Sequence, residues 1–270
     1  SYVVIKPGTH TLKIRYWVKD IVTNVEGTIT KTLSSATYDQ NKYYNITANL
    51  DVKNYDGDHY YMWDAQEQYW KGHEWHNGGS QPTLMTQSAS SDYPQNSSDT
   101  NNRWYHEGGG SPRLDATQTC STLPNANEMS WYCMYGDPRW DADELWATMG
   151  HLYKGGMWFK KKSVLQAEHH YDTEKSADGS RDMRTTSTIY SNTTNSGLLS
   201  AADAGNYFYL PALGCYDSGA LSIVGNGGRY WSSSTYPWDS NNAYSLIFGS
   251  GSVTVSYSYR YFGFRVGGFE

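Results

Sequence analysis

Residues 243–259, AYSLIFGSGSVTVSYSY, decide how the C-terminal part of this chain folds. Tyr244, Leu246 and Phe248 alternate with Ser245 and Ile247. After Gly249-Ser250-Gly251, Val253 and Val255 alternate with Ser252, Thr254, Ser256 and Ser258. Successive side chains of a strand point to opposite faces, so a period of two on both sides of a short Gly-Ser-Gly turn reads as an antiparallel hairpin. We assign the tyrosine, leucine, phenylalanine and valines to the core and the opposite set to an outward face. Residues 207–213, 229–233 and 262–266 carry similar strand signals between Gly-rich turns.

Working outward, the segment before this sheet holds the helix signals. Asn125 followed by Glu128 fits a capping box, Met129, Tyr132 and Cys133 share one helical face, and Gly136 supplies a stop. Asp141 with Glu144 repeats the capping pattern, and Leu145, Met149 and Leu152 form an i, i+4, i+7 stripe ended by Gly155-Gly156. Two helices are therefore expected. Residues 10–19 alternate Leu12, Ile14, Tyr16 and Val18 against Thr11, Lys13, Arg15 and Trp17, and residues 28–33 and 43–52 are two further strand candidates. Three strands alone make a marginal fold, so residues 1–53 read as the end of a larger β unit. Residues 54–111 are turn-rich, with 78–102 a long exposed loop, and 176–196 are a polar loop. The chain opens in mid-pattern at Val3, Val4 and Ile5, as though trimmed, with no signal peptide at Ser1.

Composition narrows the function classes. Tyr (25) and Trp (11) far outnumber Phe (6), which suits both a β-rich core and a recognition surface that needs large contact area with a polar handle. A net charge of −6 argues against nucleic acid as a partner, and the one basic run, Lys160-Lys161-Lys162, reads as a solvated strand or helix end. No apolar run approaches the roughly 18 residues of a bilayer span. Cys120, Cys133 and Cys215 make neither a disulfide framework nor a four-ligand zinc site; Cys120 and Cys133 could pair in an oxidising compartment.

Catalytic and metal constellations fail on spacing. His73-Glu74-Trp75-His76 lacks the i, i+4 histidines of a zincin helix, and no phosphate-cradling glycine loop or nucleophile elbow is present. No pair of carboxylates takes acid and base roles from spacing alone. We assign no catalytic residue, no metal and no cofactor.

Residues 206–266 carry a resemblance. Tyr209-Leu210-Pro211-Ala212-Leu213-Gly214, Tyr230-Trp231-Ser232-Ser233-Ser234, Ala243-Tyr244 with Leu246 and Phe248, and Gly263-Phe264-Arg265-Val266 occur in that order. They resemble the C-terminal part of the fibrobacter-succinogenes major-paralogous domain family of Bacteroidetes surface proteins. Asn125-Ala126-Asn127-Glu128 and residues 146–162 look like its first half. The resemblance implies a C-type-lectin-like fold, related to formylglycine-generating enzymes. The expected class is thus α+β: two helices with small twisted antiparallel sheets over residues 54–270, behind a short all-β segment. Residues 1–53 resemble the last strands of a fimbrillin-like pilin domain at Tyr16-Trp17-Val18-Lys19 and Tyr43-Tyr44-Asn45-Ile46. Trp238-Asp239-Ser240-Asn241 is similar to the calcium-sugar motif of C-type lectins, but the matching Glu-Pro-Asn or Gln-Pro-Asp element is missing, so calcium-dependent sugar binding is not expected.

From Cys215 to Phe269 there is no Lys, Gln, Met or Glu, although all four occur through the first 214 residues. An AAC codon with randomised adenines cannot encode these residues or Trp, and readily gives Tyr, Ser, Asp, Asn, Thr, Gly, Ile, Phe, Cys and Arg. The pattern is similar to that of variable proteins diversified by retroelements through adenine-specific mutagenesis, and it places a variable region at about 215–262. The expected ligand-binding face is Ser245, Ile247, Ser252, Thr254, Ser256, Tyr257, Ser258, Tyr259, Tyr261 and Phe262. Tyr216, Asp217, Ala220, Ser222, Ile223, Arg229 and Tyr236 complete it from the preceding turns. The implied protein is a non-enzymatic adhesin, secreted to the cell surface, outer membrane or fimbrium, with a pilus-tip role. It would bind an unknown surface protein or glycan and contact other pilin subunits. The alternatives are a formylglycine-generating type of enzyme, which looks to require two nearby C-terminal cysteines where only Cys215 stands, and a purely structural pilin.

Overall fold

The computed structural model describes residues 3–47, 49–55, 59–77, 91–107, 115–195 and 197–270. The first strands are β1 (Gly8–His10), β2 (Lys13–Lys19), β3 (Glu26–Thr32), β4 (Ala36–Tyr38), β5 (Lys53–Asn54) and β6 (Tyr60–Tyr61). Helix α1 (Ala126–Tyr135), the hairpin β7 (Arg139–Thr148) and β8 (His151–Lys160), and helix α2 (Lys162–Ala167) follow. The C-terminal strands are β9 (Tyr190–Thr193), β10 (Tyr207–Pro211), β11 (Cys215–Asp217), β12 (Ala220–Ser222), β13 (Gly227–Thr235), β14 (Asn242–Gly249), β15 (Ser252–Tyr259) and β16 (Phe264–Arg265). They form a six-stranded sheet ordered β6-β16-β13-β14-β15-β9 and a four-stranded sheet ordered β10-β8-β7-β5. Three further pairs, β1-β4, β2-β3 and β11-β12, stand apart.

Of the described residues 37% are strand and 8% helical. This overturns the α+β, C-type-lectin-like expectation of two helices with small sheets: the chain is mostly β, in several sheets. Much of the error lies in residues 141–155, expected as a helix and found as the β7–β8 hairpin. Asp141 does cap backbone amides, those of Asp143 and Glu144 at 2.9 and 3.0 Å, but there it shapes a bulge between Asp141 and Leu145. An aspartate that bonds the amides two and three residues on serves a turn as well as a helix start. Met149 and Gly150 both hold positive φ, +48° and +74°, forming a two-residue turn that closes the hairpin between Thr148 and His151. The bulge and the turn override the apparent helical stripe.

Helix α1 forms where its sequence predicts. Asn125 accepts the Glu128 amide at 3.0 Å while Glu128 accepts the Asn125 amide at 2.8 Å, a complete capping box, and Gly136 ends the helix. Asn125→Ala is expected to lower the free energy of unfolding by about 1 kcal/mol, read as a lower denaturant midpoint at unchanged slope. An unshifted midpoint would remove the cap from the account.

Two more elements differ from expectation. Residues 43–52 make no strand: the Tyr44 hydroxyl turns back to Asp39, and Asp51 holds φ +49° with its amide on the Asn49 side chain. The polar segment 176–196 contributes β9, which pairs with the outer edge of β15. Part of the expected 78–102 loop lies outside the described residues. The basic run falls at a join as expected: Lys160 ends β8, 2.6 Å from Glu168, and Lys162 starts α2.

The main core lies between α1, β8, β10 and one face of the six-stranded sheet. Tyr132 meets Phe208 edge-on at 5.4 Å, Phe159 meets Phe248 at 6.1 Å, and the Cys133 thiol donates to the Val253 carbonyl. A second cluster, Trp63, Cys120, Leu123, Trp231, Ala243 and Phe264, covers part of the opposite face. Cys120, Cys133 and Cys215 are all buried free thiols, so Cys120 and Cys133 do not pair.

The β2–β3 hairpin shows the alternation expected of residues 10–19, one side half-buried and the other exposed. It docks on β7–β8 through Asp20. The Asp20 carboxylate accepts the amides of Val22, Thr23 and Leu152 and lies 3.2 Å from His151 Nδ1. Burial opposes its charge, but the amide bonds from Leu152, Thr23 and Val22 outweigh it and hold the carboxyl at about 2. A group with a depressed folded pKa stabilises above its unfolded value, near 3.9, and loses that contribution as pH falls through the folded one. Between about pH 4 and pH 2 the hairpin should therefore detach. Hydrogen exchange at residues 13–32 should accelerate before exchange in β13–β15. Protection of that hairpin unchanged at pH 2 would contradict the anchor.

Candidate ligand-binding face

The register of the six-stranded sheet sorts every expected site residue. Tyr244, Leu246 and Phe248 pair across with Tyr257, Val255 and Val253, so these six share one face. Leu246, Phe248, Val253 and Val255 are buried under α1, as expected. The pairing of β9 with β15 stops at Val255, and beyond that point the same face opens to solvent. Tyr257 and Tyr259 emerge there, 43% and 48% exposed.

From that opening runs a ridge of rings. Tyr257 stacks on Tyr236 at 4.2 Å, and Tyr236 leans toward Trp238, which is 76% exposed. Tyr259 stacks on Tyr261 at 5.2 Å with the planes 10° apart, and Phe262 meets both. Each end is backed by a buried ring, Tyr236 by Tyr244 at 5.5 Å and Phe262 by Phe264 at 5.8 Å. The Tyr236 hydroxyl is also fixed, 2.7 Å from Ser187 Oγ. Exposed Asp217 adjoins Tyr261, whose phenol is raised by burial, by Tyr259 and by that carboxylate. Stiff aromatic contacts held in place lose little entropy on binding.

The opposite sheet face carries a second, thinner patch. Arg229, Ile247, Thr254 and Ser191 line up across four strands, with Ser191 Oγ and Thr254 Oγ1 3.0 Å apart. Arg229 is half-buried, its guanidinium 5.7 Å above the Phe264 ring. Ser252 is exposed and Ser256 half-buried on this side. Ala220, Ser222 and Ile223 are half-buried on or next to the β11–β12 pair, Ser222 hydrogen-bonding to the Cys215 carbonyl.

Three expected contacts are core residues instead. Tyr216 is fully buried, stacked on Tyr69 at 5.1 Å and edge-on to Tyr60 at 4.9 Å. Ser245 and Ser258 are buried against each other, hydroxyls 3.0 Å apart. Period-two alternation assigned the serines outward, but Trp63 and Trp231 roof that end of the sheet. Trp63 donates its indole N–H to the Ser232 carbonyl at 3.0 Å and comes from nearly two hundred residues upstream of Ser258. A short serine tolerates either environment once its hydroxyl is bonded.

Trp238 is the ridge residue that sequence reasoning missed. The signal was its place in Pro237-Trp238-Asp239, a turn, where a large ring has nowhere to pack. Asp239 is occupied in that turn, accepting from the Asn241 amide and the Asn242 side chain, which leaves it unlike a calcium ligand. Among the described residues no group of three or more His, Cys, Asp or Glu is placed to hold a metal, and no helix is long and apolar enough to cross a membrane.

No family model, no curated protein and no solved structure matches the chain.

Proposed function

We propose that this chain is a cell-surface adhesin that grips a surface ligand through the ridge formed by Tyr236, Trp238, Tyr257, Tyr259, Tyr261 and Phe262. One observation carries the reading: six touching rings stand at the surface while their neighbours on the same strands fill the core. Large exposed aromatic patches mark interaction sites, and aromatic anchors supply most binding hot spots. The residues between 215 and 262 fit a segment exchanged by adenine-specific mutagenesis, with Tyr, Ser and Asp at the open positions and aliphatic residues beneath.

Binding is favoured over thiol-based catalysis by the state of Cys215. It is buried, and burial pushes its thiol above the usual range, so it lacks the accessible thiolate a nucleophile needs.

Sequencing the locus in related isolates tests the proposal. Substitutions should concentrate at Asp217, Tyr236, Tyr257, Tyr259 and Tyr261 and spare Leu246, Val253 and Val255. An adjacent reverse transcriptase should accompany a template repeat with adenines at the substituted codons. Substitution spread evenly over buried and exposed positions would favour a structural role and overturn the reading.

A further inference from the structure

A pocket of about 240 Å³ opens beside the second core, away from every residue that sequence reasoning assigned to binding. Trp104 and Tyr105 line it together with Gln66, Gln118 and Glu107, and no lysine or arginine is among the described residues that line it. Buried anchors fix its walls. The Asp64 carboxylate accepts the amides of Thr117, Gln118 and Cys120 at 2.8, 2.9 and 3.0 Å. Asp99 is held by the Arg103 guanidinium at 2.7 Å. Buried Arg260 lies over the Trp63 ring at 4.6 Å and donates to the carbonyls of His106 and Glu107.

Those anchors use up the interior charges and leave side-chain amides, one carboxylate and two aromatic rings facing the opening. A side-chain amide donates and accepts at once, as each hydroxyl of a sugar does. Ring faces suit the C–H face of a pyranose. A wall that includes Glu107 and lacks a cation repels an anion. The volume lies just under the roughly 300 Å³ at which small-molecule pockets begin, room for one ring. We propose that this pocket is a binding site for a neutral pyranose, separate from the aromatic ridge and independent of its reading.

The test is a saturation-transfer and protein-observed NMR titration of the whole chain with methyl glucoside, galactoside and mannoside, N-acetylglucosamine and glucuronate. At least one neutral sugar should bind with a Kd of about 1–10 mM and move the Trp104 indole resonance. Gln66→Ala and Gln118→Ala should each weaken it about tenfold without changing Tm, since neither side chain supports the fold. The Tyr257, Tyr259 and Tyr261 triple substitution should leave sugar binding intact, so failure of the ridge reading and failure of this one give different results. The proposal is overturned if no neutral sugar binds, if glucuronate binds as well as methyl glucoside, or if both glutamine variants bind like the parent.

Discussion

Replacing Tyr257, Tyr259 and Tyr261 together with serine is expected to weaken binding roughly a hundredfold or more and to move Tm by less than about 3 °C. The expectation follows from where these rings sit. Each is exposed, beyond the point where β9 stops covering β15, so folding gains little from it. What the fold loses is side-chain stacking such as Tyr257 on Tyr236, worth about 0.5–1 kcal/mol per cross-strand pair. At an interface the same rings become buried area, and aromatic anchors there commonly cost about 2 kcal/mol each when truncated, without adding fully. Parent and variant would be compared on one printed array of glycans and extracellular proteins, with thermal melting alongside. Equal signal on the spots the parent labels would remove the ridge as the binding face. A collapse in Tm would make it part of the core.

Trp231→Ala should have the opposite signature, a loss of stability of about 5 kcal/mol that leaves little folded protein at 37 °C. Trp231 is fully buried and stacked on Phe264 at 4.2 Å, and its indole N–H donates to the Tyr61 carbonyl at 2.8 Å. Truncating a buried tryptophan removes the transfer free energy and opens a cavity, about 3–5 kcal/mol, and the orphaned carbonyl adds about 1–3 more. The second core would lose its centre, and with it the backing that Phe264 gives Phe262 in the ridge. Trp231→Phe should recover part of the stability. Chemical denaturation of the three proteins checks this; a midpoint for Trp231→Ala close to the parent would mean the second core does not hold the sheet together.

Local signals carried part of this structure. The capping box at Asn125 and the period-two runs in β2 and β13–β15 depend on neighbours in sequence, and each was legible. The β7–β8 hairpin was not, because an aspartate capping a bulge and an aspartate capping a helix look alike until the Met149-Gly150 turn is seen to reverse the chain. The same limit applies to the binding face. That Val253 and Val255 point inward follows from alternation, but the burial of Ser245 and Ser258 depends on Trp63, and the emergence of Tyr257 depends on where β9 ends. Both are long-range facts. The anchors of the 240 Å³ pocket likewise join residues 64, 99, 103, 117 and 260, which no window of sequence brings together.

The account rests on exposed side chains choosing the ligand while a filled interior keeps the shape. A chimaera tests it directly: the residues at positions 217, 236, 257, 259 and 261 are exchanged for those of a sister variant with a different array profile. The expected chimaera melts with the parent and adopts the sister's profile. A chimaera that keeps the parent's profile at an unchanged melting temperature would contradict the central claim.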